Sequence, residues 1–89
     1  MKAIVSVIGK DKKGIIATVS GVLFENDVNI LDISQTIMQN EYFTMVMMVE
    51  LSNNDSIEGL NNQLLKVAQN LGVDIRIQHE DIFNSMHRI

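Results

Sequence analysis

Four charged residues stand between two glycines near the start of the chain, in the segment VIGKDKKGII of residues 7–16. A glycine at position 9 would let the chain turn sharply out of a strand, and Gly14 would leave the backbone uncovered where a helix begins. The N–H groups of Gly14, Ile15 and Ile16 would then point outward, with the positive end of the helix behind them. This arrangement predicts an anion cradle suited to a carboxylate or a phosphate.

The charged side chains of this loop refine the choice of ligand. Lys10, Lys12 and Lys13 would raise the local positive potential, while Asp11 could cap the helix or accept bonds from an ammonium group. An amino acid carries both a carboxylate and an ammonium group. A solvated turn that caps a helix would explain the same residues, so the loop alone leaves both interpretations open. The loop lacks the spacing of a nucleotide P-loop and of GxGxxG, so nucleotide binding is not supported.

The other residues whose side chains could take part in catalysis or metal binding do not form a catalytic or metal site. The two histidines, His79 and His87, fall at opposite ends of the predicted tail helix, too far apart for a compact metal site or an acid–base pair. Four methionines cluster between residues 38 and 48, but Met47 and Met48 would point to opposite faces of a strand. Core filling explains them better than a copper site does. We therefore expect no enzyme activity and no cofactor.

Composition limits the partners of the protein. The 89 residues are 46% hydrophobic, enough for one domain with a single core. A nucleic-acid partner is not expected, because the net charge is -4 and only 4% of the residues are aromatic. Tyr42 is the lone candidate for stacking on a base. The absence of cysteine excludes disulfides and suits a reducing compartment. The apolar runs are too short for a membrane span or a signal peptide, so we expect a cytoplasmic protein without a membrane partner.

The first half of the chain alternates between strand and helix patterns. Residues 2–8 predict a strand that ends at Gly9, and residues 15–25 predict a helix that stops at Asn26 and Asp27. Residues 28–39 return to a strand pattern with one face buried, and residues 40–41 predict a tight turn. The apolar face of the helix is expected to hold Ile15, Ile16, Val19, Val22 and Leu23, and that of the strand Leu31, Ile33 and Ile37.

The second half predicts a central strand, a helix, a last strand and a tail helix. The central strand has an unbroken apolar face, and Asp55 with Glu58 resembles a capping box for the helix that follows. That helix is expected to end at Gly72, and residues about 80–88 are expected to form a short amphipathic helix. The buried positions are predicted to be Phe43, Met45, Met47, Val49 and Leu51 in the strand, Ile57, Leu60, Leu64, Val67 and Leu71 in the helix, and Val73, Ile75 and Ile77 in the last strand.

This order of elements predicts one α+β domain over residues 1–89. Two right-handed crossovers around a hairpin give a ferredoxin-like βαββαβ fold, in which a four-stranded antiparallel sheet carries both helices on one face. The opposite face of the sheet and its edge strands are association surfaces, so a homodimer is the simplest way to cover them.

The segment GKDKKGIIATVSGVLFENDVNILDISQT resembles the signature of the ACT domain, a small ligand-sensing module. The resemblance rests on Asp11 three positions before Gly14, and on Asn29 followed by Ile30 at the start of the second strand. It spans nearly the whole chain, and the tail IQHEDIFNSMHRI resembles that of free-standing, uncharacterised ACT proteins of bacteria and archaea.

The resemblance implies a regulatory function and a shared site. ACT domains commonly bind amino acids and regulate an attached or partner enzyme, pairing side by side with the ligand at the interface. The ligand would meet Asp11 and the backbone of Gly14 and Ile15 in one subunit, and Asn29 and Ile30 of the other. Gly9 stands where some amino-acid-binding members carry a polar side chain. Two hypotheses follow: a homodimeric amino-acid sensor, or an interaction module that docks a partner enzyme without binding a ligand.

Overall fold

The computed structural model describes residues 1–10, 14–39, 41–52 and 57–81 of the chain. The predicted order of strands and helices is confirmed across these residues. Glu80 and Asp81 are helical, while the rest of the predicted tail helix, Asp11 and Asp55 lie outside the described residues. The elements are β1 (Lys2–Lys10), α1 (Ile15–Glu25), β2 (Asn29–Met38), β3 (Tyr42–Glu50), α2 (Ile57–Leu71) and β4 (Asp74–His79).

The four strands form one sheet in the order β2-β3-β1-β4, and all neighbouring strands are antiparallel. The ferredoxin-like fold is therefore confirmed, with β3 and β1 inside the sheet and β2 and β4 at its edges. The register defines two ends of the sheet. Tyr42 of β3 lies between Met38 and Lys10 at one end, and Glu50 lies between Asn29 and Lys2 at the other.

The core lies between the two helices and one face of the sheet. Alternate residues of β1, β3 and β4 point into it, as the sequence predicts for strands with one buried face. Both helices bury a stripe of side chains at intervals of three or four residues. The two stripes share one core cluster with the strands, so both helices lie on the same face of the sheet. The fully or almost fully buried side chains include Val5, Val7, Ile15, Val19, Leu23, Met45, Met47, Val49, Leu64 and Ile75.

β2 corrects one prediction, because all ten of its residues are exposed. Ile33 and Ile37 lie opposite Met47 and Phe43 on the helix side of the sheet, yet they are 45% and 51% exposed. Leu31 lies at a register shift between Ile30 and Asp32, so it does not share a face with Ile33 and Ile37 in a regular strand. The predicted buried face of this strand is therefore wrong within a single chain, because the core under the helices includes residues of β1, β3 and β4 but none of β2. Edge position alone does not explain this, since Ile75 of the other edge strand, β4, is only 2% exposed. Ile16 of α1, also predicted to be buried, is 40% exposed.

Gly9 corrects a second prediction. It does not turn the chain out of the sheet, because β1 continues to Lys10 and Gly9 pairs with Phe43. A Cβ atom at position 9 would lie 2.5 Å from Cγ1 of Val73 and 2.9 Å from its Cβ. Glycine is required here because the residue that leads into β4 packs directly against the backbone of β1.

The helix ends agree with the predicted stop signals. Asn26 ends α1, where its Nδ2 donates to the Val22 carbonyl oxygen at 2.7 Å and to Oε1 of Gln63 in α2 at 3.0 Å. At the end of α2, Gly72 has a φ of 69°, and the N–H of Val73 donates to the Ala68 carbonyl oxygen at 3.0 Å. Both ends are thus closed by local hydrogen bonds, as helix C-termini require.

Candidate ligand site

The first half of the candidate site is the N-terminus of α1. Gly14 is the N-cap, with a left-handed φ of 87°, and its carbonyl oxygen accepts the N–H of Thr18 at 2.8 Å. In an α-helix the N–H groups of the first turn have no acceptor within the helix, so those of Ile15 and Ile16 need an acceptor from outside α1. The first turn holds no acidic residue that would neutralise its positive end.

The described residues leave room around Gly14. Outside its own chain neighbours, the nearest described atom to a Cβ at position 14 would be Oγ1 of Thr18, at 3.9 Å. The side chain of Ile15 is only 2% exposed and anchors the first turn in the core, whereas Gly14 itself is exposed. The helix end is therefore fixed by packing, and its backbone is accessible to a carboxylate or a phosphate.

Two other residues predicted to bind the ligand at this end of the sheet are Asp11 and Gly9. Asp11 lies outside the described residues together with Lys12 and Lys13, so its contact with a ligand stays a prediction. Gly9 lies in β1 near the same end, and its close approach to Val73 gives it a packing role that the sequence did not reveal.

The second half of the candidate site lies where β2 begins. Asn29 is exposed and pairs with Glu50, while Ile30 is 36% exposed and pairs with Val49. Asn29 lines an open cleft of about 430 Å³, a volume within the range of small-molecule sites. The cleft is formed by Met1, Asp27, Asn29, Glu50, Leu51 and Ser52.

The cleft at Asn29 contains acidic residues that sequence analysis missed. Asp27 adopts a left-handed φ of 55° in the turn after α1, and Glu50 closes β3 beside Asn29. Their carboxylates favour a cationic group in the cleft. Met1 lines the same cleft, and its N-terminal ammonium group donates to the Leu51 carbonyl oxygen at 3.3 Å. No sequence motif marks the two acidic residues, because their proximity depends on the register between β2 and β3. The one sequence signal that could have pointed to the cleft was Glu50, the charged residue at the end of a mostly apolar strand.

The two halves lie at opposite ends of the sheet within one chain. β2 runs parallel to β1, since both are antiparallel to β3, so Asn29 is level with Lys2 and far from Lys10. Ten residues of strand separate the ends by about 30 Å. One chain therefore brings Gly9, Gly14 and Ile15 to one end and Asn29 and Ile30 to the other, and no small molecule can touch both.

The part of the chain that the structure describes offers no metal centre. No group of three His, Cys, Asp or Glu side chains in it lies close enough together to bind an ion. His79 is engaged at the end of β4, where its Nδ1 accepts the N–H of Asp81 at 3.1 Å. None of the described helices combines the length and apolar character that crossing a membrane demands.

The βαββαβ topology agrees with the comparison of the sequence with known families, in which the ACT domain matches residues 2–78. The chain belongs to the ACT domain family. Proteins of this family are regulatory modules that generally bind small molecules and often dimerise.

Similar proteins come from bacteria and archaea. A UPF0237 protein of Clostridium acetobutylicum is 58% identical over the full length of both chains. A UPF0237 protein of Methanocaldococcus jannaschii is 53% identical over 99% of this chain and 98% of its own. Among solved structures, an ACT domain protein from Streptococcus pneumoniae shares 47% identity and superposes with a TM-score of 0.82 over 93% of each chain.

Proposed function

We propose that this ACT domain is a non-catalytic cytoplasmic sensor of an amino acid, and that it acts as a homodimer with the ligand at the subunit interface. The separation of the two half-sites carries this proposal. Because the N-terminus of α1 and Asn29 lie at opposite ends of one sheet, a second copy in the opposite orientation is the simplest way to join them around one ligand.

The chemistry of the two halves favours an amino acid over a simple anion. The open N–H groups after Gly14 suit the ligand's carboxylate, since a helix N-terminus attracts negative charge. Asn29 and the nearby carboxylates of Asp27 and Glu50 suit its ammonium group, and they would repel a second anion. A zwitterion satisfies both ends of the composite site.

A ligand screen tests this proposal directly. Thermal shift with the proteinogenic amino acids identifies candidates, and calorimetry on a protein shown to be dimeric by sedimentation measures their affinity. We expect at least one amino acid to bind, and both its carboxamide and its N-acetyl derivative to bind much more weakly. Asn29→Ala should weaken binding about 5- to 10-fold, as expected for one lost hydrogen bond. Absence of binding by any amino acid at millimolar concentration would refute the proposal.

A matched control uses another exposed asparagine. Asn62 lies in α2 and does not line the cleft, so Asn62→Ala should leave the affinity unchanged. If both variants bind the amino acid equally well, Asn29 does not contact the ligand. That result would overturn the role of Asn29 but not amino-acid binding itself.

The alternative function is an interaction module that docks a partner enzyme without a ligand. One observation favours it: Phe24 on α1 is 81% exposed, an unusual position for a large aromatic side chain. Under this alternative, Phe24→Ala would abolish binding of a purified partner enzyme while Asn29→Ala would not. Amino acids would have no effect on that complex.

A further inference from the structure

Ile4 of β1 is buried on the face of the sheet opposite the helices. Its neighbours Ala3 and Val5 belong to the core under the helices, and side chains alternate along a strand, so Ile4 points the other way. Ile4 is not a member of the core cluster, yet it is only 6% exposed. Its burial therefore has a cause other than the two helices.

Ile8 provides a comparison within the same strand. It lies on the same face as Ile4, and both have β3 on one side and β4 on the other. Ile8 is nevertheless 50% exposed. Two flanking strands alone therefore do not bury an isoleucine on this face.

Burial on this open face is concentrated at one end. Ile4 lies between Met48 of β3 and Gln78 of β4, and both of these residues are half-buried. Val46, two positions further along β3, is 37% exposed. Long flanking side chains shield Ile4 from the sides, but an exposed fraction of 6% also requires cover from above the sheet.

The chain leaves the sheet beside this covered end. β4 ends at His79, which pairs with Ala3, next to Ile4. Glu80 and Asp81 are helical, and Nδ1 of His79 accepts the N–H of Asp81 at 3.1 Å, as the side chain of an N-cap residue does. A helix therefore begins at the edge of the covered area.

The sequence after Asp81 has the apolar residues that such a cover needs. Residues 82–89 contain four large apolar residues at the spacing of one helical face, Ile82, Phe83, Met86 and Ile89. A helix over residues 80–88 would be about 14 Å long. The three strand spacings from β4 to β2 also amount to about 14 Å, so this helix could cross the whole sheet.

We propose that residues 82–89 pack across the open face of the sheet of their own chain, with Phe83 over Ile4 and Met86 over Met48. The rise of a helix supports this assignment: residue 83 would lie about 5 Å from the start, over β1, and residue 86 about 9 Å from it, over β3. This inference goes beyond the proposed function and does not depend on ligand binding.

Charge at the far end of this path agrees with the proposal. Asp32 of β2 lies beside Met48 on the open face, and the same rise per residue places Arg88 over β2. An exposed pair of opposite charges adds little free energy, so the apolar contacts supply most of the stabilisation and the charges favour the direction of the segment.

The docked segment would divide the open face into two parts. Asn29 and Glu50 form the next row of this face beyond Met48, so the segment would lie beside the candidate cleft. The opposite end of the face, with Ile8 and Val46, would stay open to a partner protein.

Single cysteines measure the cover because the chain contains none. Ile4→Cys should react with a thiol reagent at least about tenfold more slowly than Ile8→Cys, since a covered thiol reacts only after local opening. In the full chain, the added substitutions Phe83→Ala and Met86→Ala should accelerate the reaction of Ile4→Cys at least about tenfold and leave Ile8→Cys unchanged. Circular dichroism should show that all variants keep the wild-type fold.

Methyl NMR supplies a second measurement without cysteine. An aromatic ring shifts the resonances of methyl groups that pack against it, so Phe83→Leu should shift the Ile4 methyl resonances and leave those of Ile8 in place. Phe24→Leu is the matched control, because Phe24 is 81% exposed on α1, on the other face of the sheet. This control should shift neither isoleucine.

The outcomes decide which segment covers Ile4. An unchanged reaction rate of Ile4→Cys after loss of Phe83 and Met86, or unchanged Ile4 resonances in Phe83→Leu, would overturn the proposal. Protection of Ile4→Cys that persists over about a hundredfold dilution supports docking within one chain. Loss of protection on dilution would show that a second copy supplies the segment, and would overturn docking within one chain. All measurements use protein without amino acid, so they are independent of the ligand screen.

Discussion

β2 and β3 are neighbours of nearly equal length with alternating apolar residues, and they differ sharply in burial. On the helix side of the sheet, Met47 is fully buried and its partner Ile33 in β2 is 45% exposed. The cause is the cover that the helices provide: side chains of β3 pack into the core with those of α1 and α2, whereas no residue of β2 belongs to that core. Alternation therefore indicates that one face of a strand is apolar, and the placement of the helices over the sheet decides whether the chain itself covers that face.

The core strands and β2 also differ in the function we expect of them. The covered strands β3, β1 and β4 hold the core, so their side chains should determine the free energy of unfolding. β2 contributes little to that core and carries Asn29 and Ile30 of the candidate site. Its apolar residues should instead determine how two copies associate.

The largest effect is expected at Met47. Met47→Ala would leave a cavity among fully buried neighbours and lower the free energy of unfolding by about 2–5 kcal/mol. Urea denaturation at low protein concentration measures this loss without a contribution from dimers. A loss below about 1 kcal/mol would mean that the covered side of the sheet is packed loosely, and the contrast with β2 would collapse.

A smaller effect is expected at Gly9, where β1 meets Val73. Gly9→Ala would place a Cβ atom 2.5 Å from Cγ1 of Val73, and the resulting strain should cost about 1–3 kcal/mol of unfolding free energy. The double variant Gly9→Ala, Val73→Ala should recover part of the loss, because it removes the clashing methyl groups.

Gly21 is the matched control for this substitution. It lies in α1, where a Cβ atom would meet no described residue within 4 Å apart from the helix's own backbone and its chain neighbours, and its φ is not left-handed. Gly21→Ala should stabilise the protein by about 0.5–1 kcal/mol, as alanine does in a helix. Equal effects of the two substitutions would show that Gly9 is not tightly packed.

The same contrast explains what the sequence could predict. The order of strands and helices, and the buried face of β3, follow from hydrophobic periodicity, which is a local signal. The exposure of Ile33 and Ile37 does not follow, because it depends on which element covers β2. For the candidate site, the sequence predicts Gly14 and Asn29 as ligand-binding positions, and that stays a prediction; the acidic residues beside Asn29 come together only through strand register. Gly9 was misinterpreted as a turn residue because its partner, Val73, is distant in sequence.

The smallest effect is expected at Ile33, the direct partner of Met47. Ile33→Ala removes a half-exposed side chain from an edge, so at concentrations where the protein is monomeric it should cost only about 0.5–1 kcal/mol of unfolding free energy. If β2 pairs with a second copy, the loss must grow as the protein concentration rises, since association stabilises the wild type more than the variant. Denaturation at two concentrations about a hundredfold apart measures this dependence. For Met47→Ala, whose side chain is buried in the monomer, the loss should grow little with concentration. A loss at Ile33 that stays constant with concentration would show that β2 remains a free edge.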